Sequence, residues 1–327
     1  MQQPDSAYHT PVLGRDVVAL LAGLPTPPER LIDMTLGGGG HATMLLEALP
    51  QARLLGIDRD PAALAAAGAA LARFGDRARL ASGAFDSVAE LATQHGFAPA
   101  NAILMDIGVS SRQLDDPARG FSFRADGPLD MRMDPRQEIT AADLVNHLPE
   151  AELIRIFREY GEERHAGRIA RAIVRDRAEK APFTTTLQLA GLVERVVPRS
   201  ADTRRIHPAT RVFQALRIAV NDELGMLERG LTAAFDLLAP GGRLAVISFH
   251  SLEDRMVKER MLNWATGCVC PREFPECRCG RTPRALRVTR RAVQATDQEA
   301  AANPRARSAR LRAVEKLAAP ATGATCI

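Results

Sequence analysis

Residues 30–41 read Arg30-Leu31-Ile32-Asp33-Met34-Thr35-Leu36-Gly37-Gly38-Gly39-Gly40-His41. Arg30 to Thr35 has the length and apolar content of a short buried strand, and His41 to Leu49 has the pattern of a helix. Four glycines join them. A strand that turns through glycine straight into a helix opens a parallel α/β sheet. Glycines at the turn allow positive φ and let a ligand approach the backbone closely, and the first N–H groups of the helix favour a carboxylate or phosphate.

The same alternation continues on both sides of this stretch. Residues 12–22 are helically periodic and end at the Pro-rich stretch 25–28. Arg53 to Ile57 is a second strand that ends at Asp58, followed by an Ala-rich helix, Pro61 to Phe74, with Pro in its first turn. Arg79 to Ser82 is a weak third strand, Ser87 to His95 a helix, and Ala102 to Met105 a fourth strand that ends at Asp106. The pattern predicts a doubly wound, mostly parallel sheet. It then stops: residues 113–135 read as a long loop, and Ala141 to Leu192, Leu187 to Val197 and Arg211 to Leu238 are helical, broken at Pro198 and Pro208. After the turn Pro240-Gly241-Gly242, Arg243 to Ser248 is again a buried strand. The expected organisation is an α/β domain over 1–112 and 213–280, a helical domain inserted at 113–212, and a basic, partly extended tail over 281–327.

Of 327 residues, 46% are hydrophobic and 25% charged, which excludes a disordered chain and leaves ample material for a core. No apolar run reaches the roughly 20 residues of a membrane span, and Met1 to Thr10 lacks the layout of a signal peptide, so a cytosolic protein without membrane attachment is expected. Net charge is +4, distributed unevenly. Residues 281–327 carry 10 basic and 3 acidic groups, and residues 155–211 carry 13 and 7. Two basic zones suggest a polyanionic partner; solvated helix faces and a soluble tail are the plainer alternative.

Asp58, at the end of the second strand, is placed to accept hydrogen bonds from both hydroxyls of a ribose, which points to a nucleoside-bearing cofactor at the carboxyl edge of the sheet. Gly37, Gly39 and Ala42 satisfy the dinucleotide pattern G-x-G-x-x-A, and Arg59 suits a 2′-phosphate, so a nicotinamide cofactor stays open. Two features favour S-adenosylmethionine. Asp33 places a carboxylate where a cationic amino-acid moiety would lie, and neither Tyr8 nor Tyr160 has a Lys four residues on, so the Tyr–Lys pair of short-chain reductases is missing.

Asp106 is the candidate catalytic residue. An exocyclic amine delocalises its lone pair into the ring, and a carboxylate that accepts its N–H bonds draws the nitrogen toward tetrahedral geometry. The alternative is a strand-end Asp that caps the next turn. After Arg243 to Ser248 comes a second polar cluster, in which His250 could bond a base and Phe249 stack on one; alternatively, Ser251 with Asp254 caps a helix. Pyrimidine C5 methylation requires a Cys nucleophile, and none precedes Cys268. Cys268, Cys270, Cys277 and Cys279 form C-x-C-x6-C-x-C, which fits either a structural zinc knuckle or free, redox-labile thiols; no metal is assigned to the reaction. Cys326 sits at the end of the chain.

The chain resembles the bacterial 16S ribosomal RNA cytosine N4-methyltransferase family nearly end to end. The resemblance is carried by Tyr8-His9-Thr10-Pro11-Val12, the loop Asp33 to His41, Gly56 to Pro61, Asp106 to Asp115, Arg119 to Phe123, Pro128 to Met133, Thr210 to Asn221, Ser248 to Arg255 and Asn303 to Arg312. It implies a Rossmann-like class I methyltransferase fold with an inserted all-helical domain, and transfer of a methyl group from S-adenosyl-L-methionine to N4 of a decoding-centre cytidine of 16S rRNA in the small ribosomal subunit. It places cofactor contacts at Gly39, Gly40, His41, Asp58, Phe85, Asp106 and Gln113. The D-P-P-Y-type motif of many amino-methyltransferases is absent, with Ile107-Gly108-Val109 in its place, so the aromatic clamp on the base must come from elsewhere, Phe121, Phe123 and Phe249 being candidates. The four clustered cysteines are not shared by every member, which argues against a catalytic part for them. Two other classes remain at this stage: an NADP-dependent oxidoreductase and an inactive RNA-binding assembly factor. Oligomeric state is not fixed by the sequence, which leaves room for a homodimer.

Overall fold

A computed structural model describes residues 11–198, 207–271, 273–274 and 276–318. Tyr8, His9, Thr10 and Cys326, named above, lie outside the described residues. The chain divides into two compact units, one of residues 1–108 and 226–327, the other of Val109–Gly225.

The first unit is built on a seven-stranded sheet of order β3-β2-β1-β4-β5-β7-β6. Its strands are β1 Arg30–Asp33, β2 Arg53–Asp58, β3 Ala78–Ser82, β4 Ala100–Asp106, β5 Leu238–Ser248, β6 Ala285–Arg287 and β7 Arg310–Lys316. β1 to β5 run parallel, and β7 enters antiparallel between β5 and β6. Both faces of the central strands β1, β2, β4 and β5 are buried, so these strands are mostly apolar rather than alternating with polar residues. Ile32, Leu55, Ile103 and Val246 join one core cluster, and their neighbours Leu31, Leu54, Leu104 and Ala245 join the other. Helices α1 Gly14–Ala22, α2 Gly40–Ala48 and α3 Pro61–Leu71 supply Val17, Leu45 and Leu71 to the second cluster. Helix α4 Val88–Gln94 supplies Val88 to the first. This is the doubly wound, mostly parallel sheet expected from the strand–helix alternation.

The second unit is helical: α5 Ser111–Asp115, α6 Ala141–His147, α7 Glu150–Glu159, α8 Ala166–Glu179, α9 Thr186–Val196 and α10 Ala209–Asn221. Amphipathic α7 and α8 turn Leu153, Ile156, Phe157, Ile169 and Ile173 into one core. Its limits are wider than the 113–212 read from the sequence, because α10 packs Val212, Phe213 and Leu216 into this core. The stretch 113–135 is irregular in backbone yet partly buried: Leu129, Met131 and Met133 are core residues. Arg119 Nη2 donates to the carbonyls of Arg132 and Met133 at 3.0 and 2.8 Å. Asn221, fully buried, accepts from the Met133 N–H and donates to the Met131 carbonyl, each at 2.8 Å.

Helix α11 Glu223–Leu237 follows α10 after Asp222, whose left-handed φ of 46° breaks the helical run. It leads back into the first unit, where Leu227, Leu231 and Phe235 pack beneath the sheet with α12 Ser251–Ala265. The Phe235 and Trp264 rings stack at 4.1 Å.

The segment 281–327 differs most from its reading as a tail. Of its residues, 285–287 and 310–316 are strands of the sheet, joined through α13 Asp297–Ala302. Leu311 and Val314 are fully buried between β5 and β6. Arg312 forms a two-pronged pair with Asp254 of α12 at 2.7 and 3.0 Å. The positive excess hid an ordinary alternation, in which Leu311 and Ala313 face one core cluster and Val314 the other.

Candidate active site

Strand register aligns three carboxylates at one edge of the sheet. Asp33 lies opposite Gly56 and Leu104, Asp58 opposite Ser82, and Asp106 opposite Ile247. All three therefore end parallel strands at the carboxyl edge, where ligands of open α/β sheets bind.

The glycine turn is organised around two of them. Gly37, at φ 51°, donates its N–H to Asp58 Oδ2 at 2.8 Å, and the Asp60 N–H reaches Asp58 Oδ1 at 2.9 Å. Asp33 Oδ1 accepts from the Thr35 N–H at 3.1 Å. Burial raises the pKa of both carboxyl groups. The glycines of the turn differ in what surrounds them. Gly39 caps α2 with φ 81°, and a Cβ there would come within 3.4 Å of Ala67 and Leu71 of α3. A Cβ on Gly40 would meet Pro11 Cγ at 2.8 Å. These two glycines allow close packing of α3 and of the segment before α1. Gly37 differs: a Cβ there meets only the Thr35 carbonyl oxygen, at 3.9 Å.

Asp106 occupies an unusual setting. Its N–H donates to Thr35 Oγ1 at 2.6 Å. Its Oδ2 lies 3.6 Å from His41 Nδ1. Its Oδ1 is buried and, among the described residues, has no hydrogen-bond partner. Burial, with the nearby Glu253 carboxylate as a lesser cause, pushes the pKa up to about 7. His41 is itself buried, bonds the Val12 carbonyl through Nε2 at 2.9 Å, and has its pKa lowered by that burial.

Glu253 is held by the start of α12. Its Oε2 accepts from the N–H groups of Phe249 and His250 at 2.9 and 3.2 Å. His250 is the N-cap: its Nδ1 accepts from the Glu253 N–H at 3.4 Å, and its Nε2 lies 3.0 Å from Glu253 Oε1. The helix is thus capped by His250 and Glu253, not by Ser251 with Asp254. Phe249 approaches the bend after β4, since a Cβ on Gly108 would lie 3.4 Å from its ring. Phe85, partly buried at the carboxyl end of β3, packs against Gly230 of α11. Gln113 belongs to the second unit, where its amide oxygen accepts from the Ser110 N–H in a capping box. Arg59 is buried, with Nη1 3.6 Å from Met226 Sδ. Thr35 was missed as a site residue by the sequence reading, although it stands in the decisive loop, two residues past a strand-end Asp; Glu253 belongs to the polar cluster after Ser248 but was given no part of its own.

A model of the MraW methylase family matches residues 6–317. The chain belongs to that family. Among curated relatives, ribosomal RNA small subunit methyltransferase H of Geobacter sulfurreducens is 54% identical over 310 residues, covering 94% of this chain and 99% of the relative. The protein of the same description from Symbiobacterium thermophilum is 53% identical over 313 residues, covering 95% and 98%. The crystal structure of an rRNA methylase from Streptococcus thermophilus aligns with a TM-score of 0.41 at 12% identity, over 95% of this chain and 99% of that one, a likeness too distant to add weight.

The methyl donor of the family is S-adenosylmethionine, and the edge described above fits it. A buried carboxylate, Asp33, and a half-buried one, Asp58, flank a turn that is open at Gly37, and the orphaned Asp106 Oδ1 calls for a polar partner. Membership of a methylase family disfavours the oxidoreductase reading, and buried Arg59 is not displayed for a 2′-phosphate. Among the described residues, no helix is long and apolar enough to cross a membrane.

Proposed function

We propose that this methylase transfers a methyl group to the exocyclic N4 of a decoding-centre cytidine of 16S rRNA in the small ribosomal subunit. The observation that carries this reading is Asp106: a strand-end carboxyl with one unpartnered oxygen and a pKa raised to about 7. Such a group can accept an amine N–H and, near neutral pH, take up the proton that nitrogen must lose. The four described cysteines lie in the segment after α12 rather than beside β4, which disfavours C5 chemistry. The names of the relatives support ribosomal RNA as substrate.

S-adenosylmethionine, when bound, supplies an electrophilic methyl group on sulfur. In the proposed site Asp58 accepts from the ribose hydroxyls, since each oxygen now bonded to one backbone N–H retains a second lone pair. Asp33 faces the amino-acid end, Gly37 leaves room beside the turn, and Phe85 flanks the base of the cofactor. Thr35 fixes the backbone of Asp106, and His41 lies beside its carboxyl group. His250 has a positioning part, since it holds Glu253, whose charge helps keep the Asp106 pKa high.

The inserted unit offers a surface for RNA. Arg168, Arg171 and Arg175, spaced i, i+3, i+7 on α8, line a groove with Ala172 and Val196. Arg175, Lys180 and Arg195 share the single carboxylate of Asp176, at 2.7, 2.7 and 3.5 Å, which leaves the patch net positive.

The test is a tritiated methyl-transfer assay on small subunits lacking the modification, with the product nucleoside identified. N4-methylcytidine is expected; 5-methylcytidine or no transfer would overturn the reading.

A further inference from the structure

The connection from α12 to β6 has no helix or strand among its described residues, and it exposes Val269 and Phe274, so it has little core of its own. Yet the Sγ atoms of Cys268, Cys270, Cys277 and Cys279 all lie within 4.8 Å of one another. Cys277 to Cys279 and Cys279 to Cys268 are each 3.7 Å apart. A disulfide needs about 2.05 Å between sulfurs. Four thiolates at about 2.3 Å around a tetrahedral ion have edges of roughly 3.8 Å. The spacing therefore matches a tetrathiolate cage and not a pair of cystines.

We propose that Cys268, Cys270, Cys277 and Cys279 bind one zinc ion in a closed structural site.

Three backbone amides support it. The Cys270 N–H points at Cys268 Sγ at 3.4 Å, Val269 N–H at Cys279 Sγ at 3.5 Å, and Arg278 N–H at Cys270 Sγ at 3.3 Å. A zinc tetrathiolate carries two net negative charges, and N–H donors aimed at its sulfurs offset them. Zinc displaces the thiol protons to solvent, without redox change. Four protein ligands fill the tetrahedron, so no position is left for water or substrate and the ion does no chemistry. Its work is to close the segment from Cys268 to Cys279 in place of the apolar core this segment lacks. Tetrathiolate geometry also suits iron, and the experiment separates the two.

The full chain is purified under reducing conditions without chelator, and its metals are measured by mass spectrometry. About one zinc per chain is expected, falling at least tenfold in Cys268→Ser/Cys270→Ser. Cobalt reconstitution should give the thiolate charge-transfer and d–d bands of a tetrahedral tetrathiolate. Trypsin cleavage after Arg278 and Arg281 should accelerate when a chelator strips the ion and slow again with added zinc. Stoichiometric iron, no retained metal after zinc reconstitution, or cleavage insensitive to metal would each overturn the assignment. S-adenosylmethionine affinity serves as the folding control, since none of these cysteines belongs to the cofactor site.

Discussion

Asp106 Oδ2 faces Nδ1 of His41 at 3.6 Å, and the other nitrogen of that ring bonds the Val12 carbonyl. A carbonyl can only accept, so Nε2 carries the proton, and in the neutral ring Nδ1 presents a lone pair. Burial keeps the ring neutral by lowering its pKa. Two electron-rich atoms then face each other, an arrangement that favours a protonated Asp106 and agrees with its pKa of about 7. This pair links the geometry of the sheet edge to the pH at which the enzyme works.

The first prediction concerns that pH. If Asp106 must be ionised to accept a proton, kcat/KM should fall about tenfold per pH unit below about 7 and level off above it. Glu253→Gln removes the like charge and should move this midpoint to lower pH, while its amide oxygen can still accept from Phe249 and His250. Asp106→Asn should lower kcat by roughly 100-fold or more and abolish the inflection. The stability effect has the opposite sense. The folded state holds the Asp106 proton longer than the unfolded chain does, so this group's contribution to stability is present at low pH and is lost as pH rises from 3.8 through about 7. A flat rate profile from pH 5 to 9 would remove Asp106 from proton transfer.

The second prediction separates the glycines. Gly39 combines φ 81° with close contact to α3. Gly39→Val should unfold or strongly destabilise the protein, and any loss of cofactor binding would follow from that. Gly37→Ala adds a Cβ into open space at φ 51°, so only the left-handed strain of about 1–2 kcal/mol is expected. Thermal melts and calorimetric titration with S-adenosylmethionine distinguish the two. A folded Gly39→Val variant with a wild-type melt would show that α3 yields easily.

How far these glycines were legible is instructive. The strand-turn-helix signal of residues 30–41 led to the sheet and to Asp33, Asp58 and Asp106, because parallel strands end at one edge whatever their tertiary details. The glycines looked like a single ligand cradle, since a sequence does not show which neighbour a missing Cβ would strike. The same limit hid the part of Asn221: its tie to the Met131 carbonyl and Met133 N–H spans some ninety residues. Thr35 bonds the Asp106 N–H across 71 residues and Glu253 acts on Asp106 through its charge, so no local spacing ties either to Asp106. The C-terminal strand was obscured because the basic excess of 281–327 read as a tail for a polyanionic partner, whereas Arg310 and Arg312 both face Asp254, at 3.6 and 2.7 Å.

That pairing gives the third prediction. Arg312 and Asp254 are both mostly buried and joined by two hydrogen bonds. Among the described residues, Arg312→Ala leaves Asp254 with only the more distant, half-exposed Arg310 as an ion-pair partner. Breaking such a pair typically costs about 3–5 kcal/mol, so urea unfolding should show a marked drop in midpoint. Arg312→Ala/Asp254→Ala should lose less than the sum of the two single variants, because neither charge is then left alone. Additive losses would show that the two residues act independently.

The last prediction locates the RNA contacts. Residues 281–327 hold a large share of the positive charge, but β7 draws Arg312 into an ion pair with Asp254, and Arg305 is partly buried. On α8, Arg168, Arg171 and Arg175 are exposed and share one groove. Each phosphate neutralised releases condensed counterions, so log affinity falls with log salt by about 0.7 to 0.9 per contact. Replacing the three α8 arginines with Ala should flatten that slope by about two to three, with the melting temperature and S-adenosylmethionine affinity nearly unchanged. Replacing Arg305, Arg307 and Arg310 should instead lower the melting temperature and alter the slope by about one at most, since Arg305 is partly buried and Arg310 lies 3.6 Å from Asp254. If the C-terminal set flattens the slope and the α8 set does not, RNA is held by the C-terminal segment around β7 rather than by the helical unit.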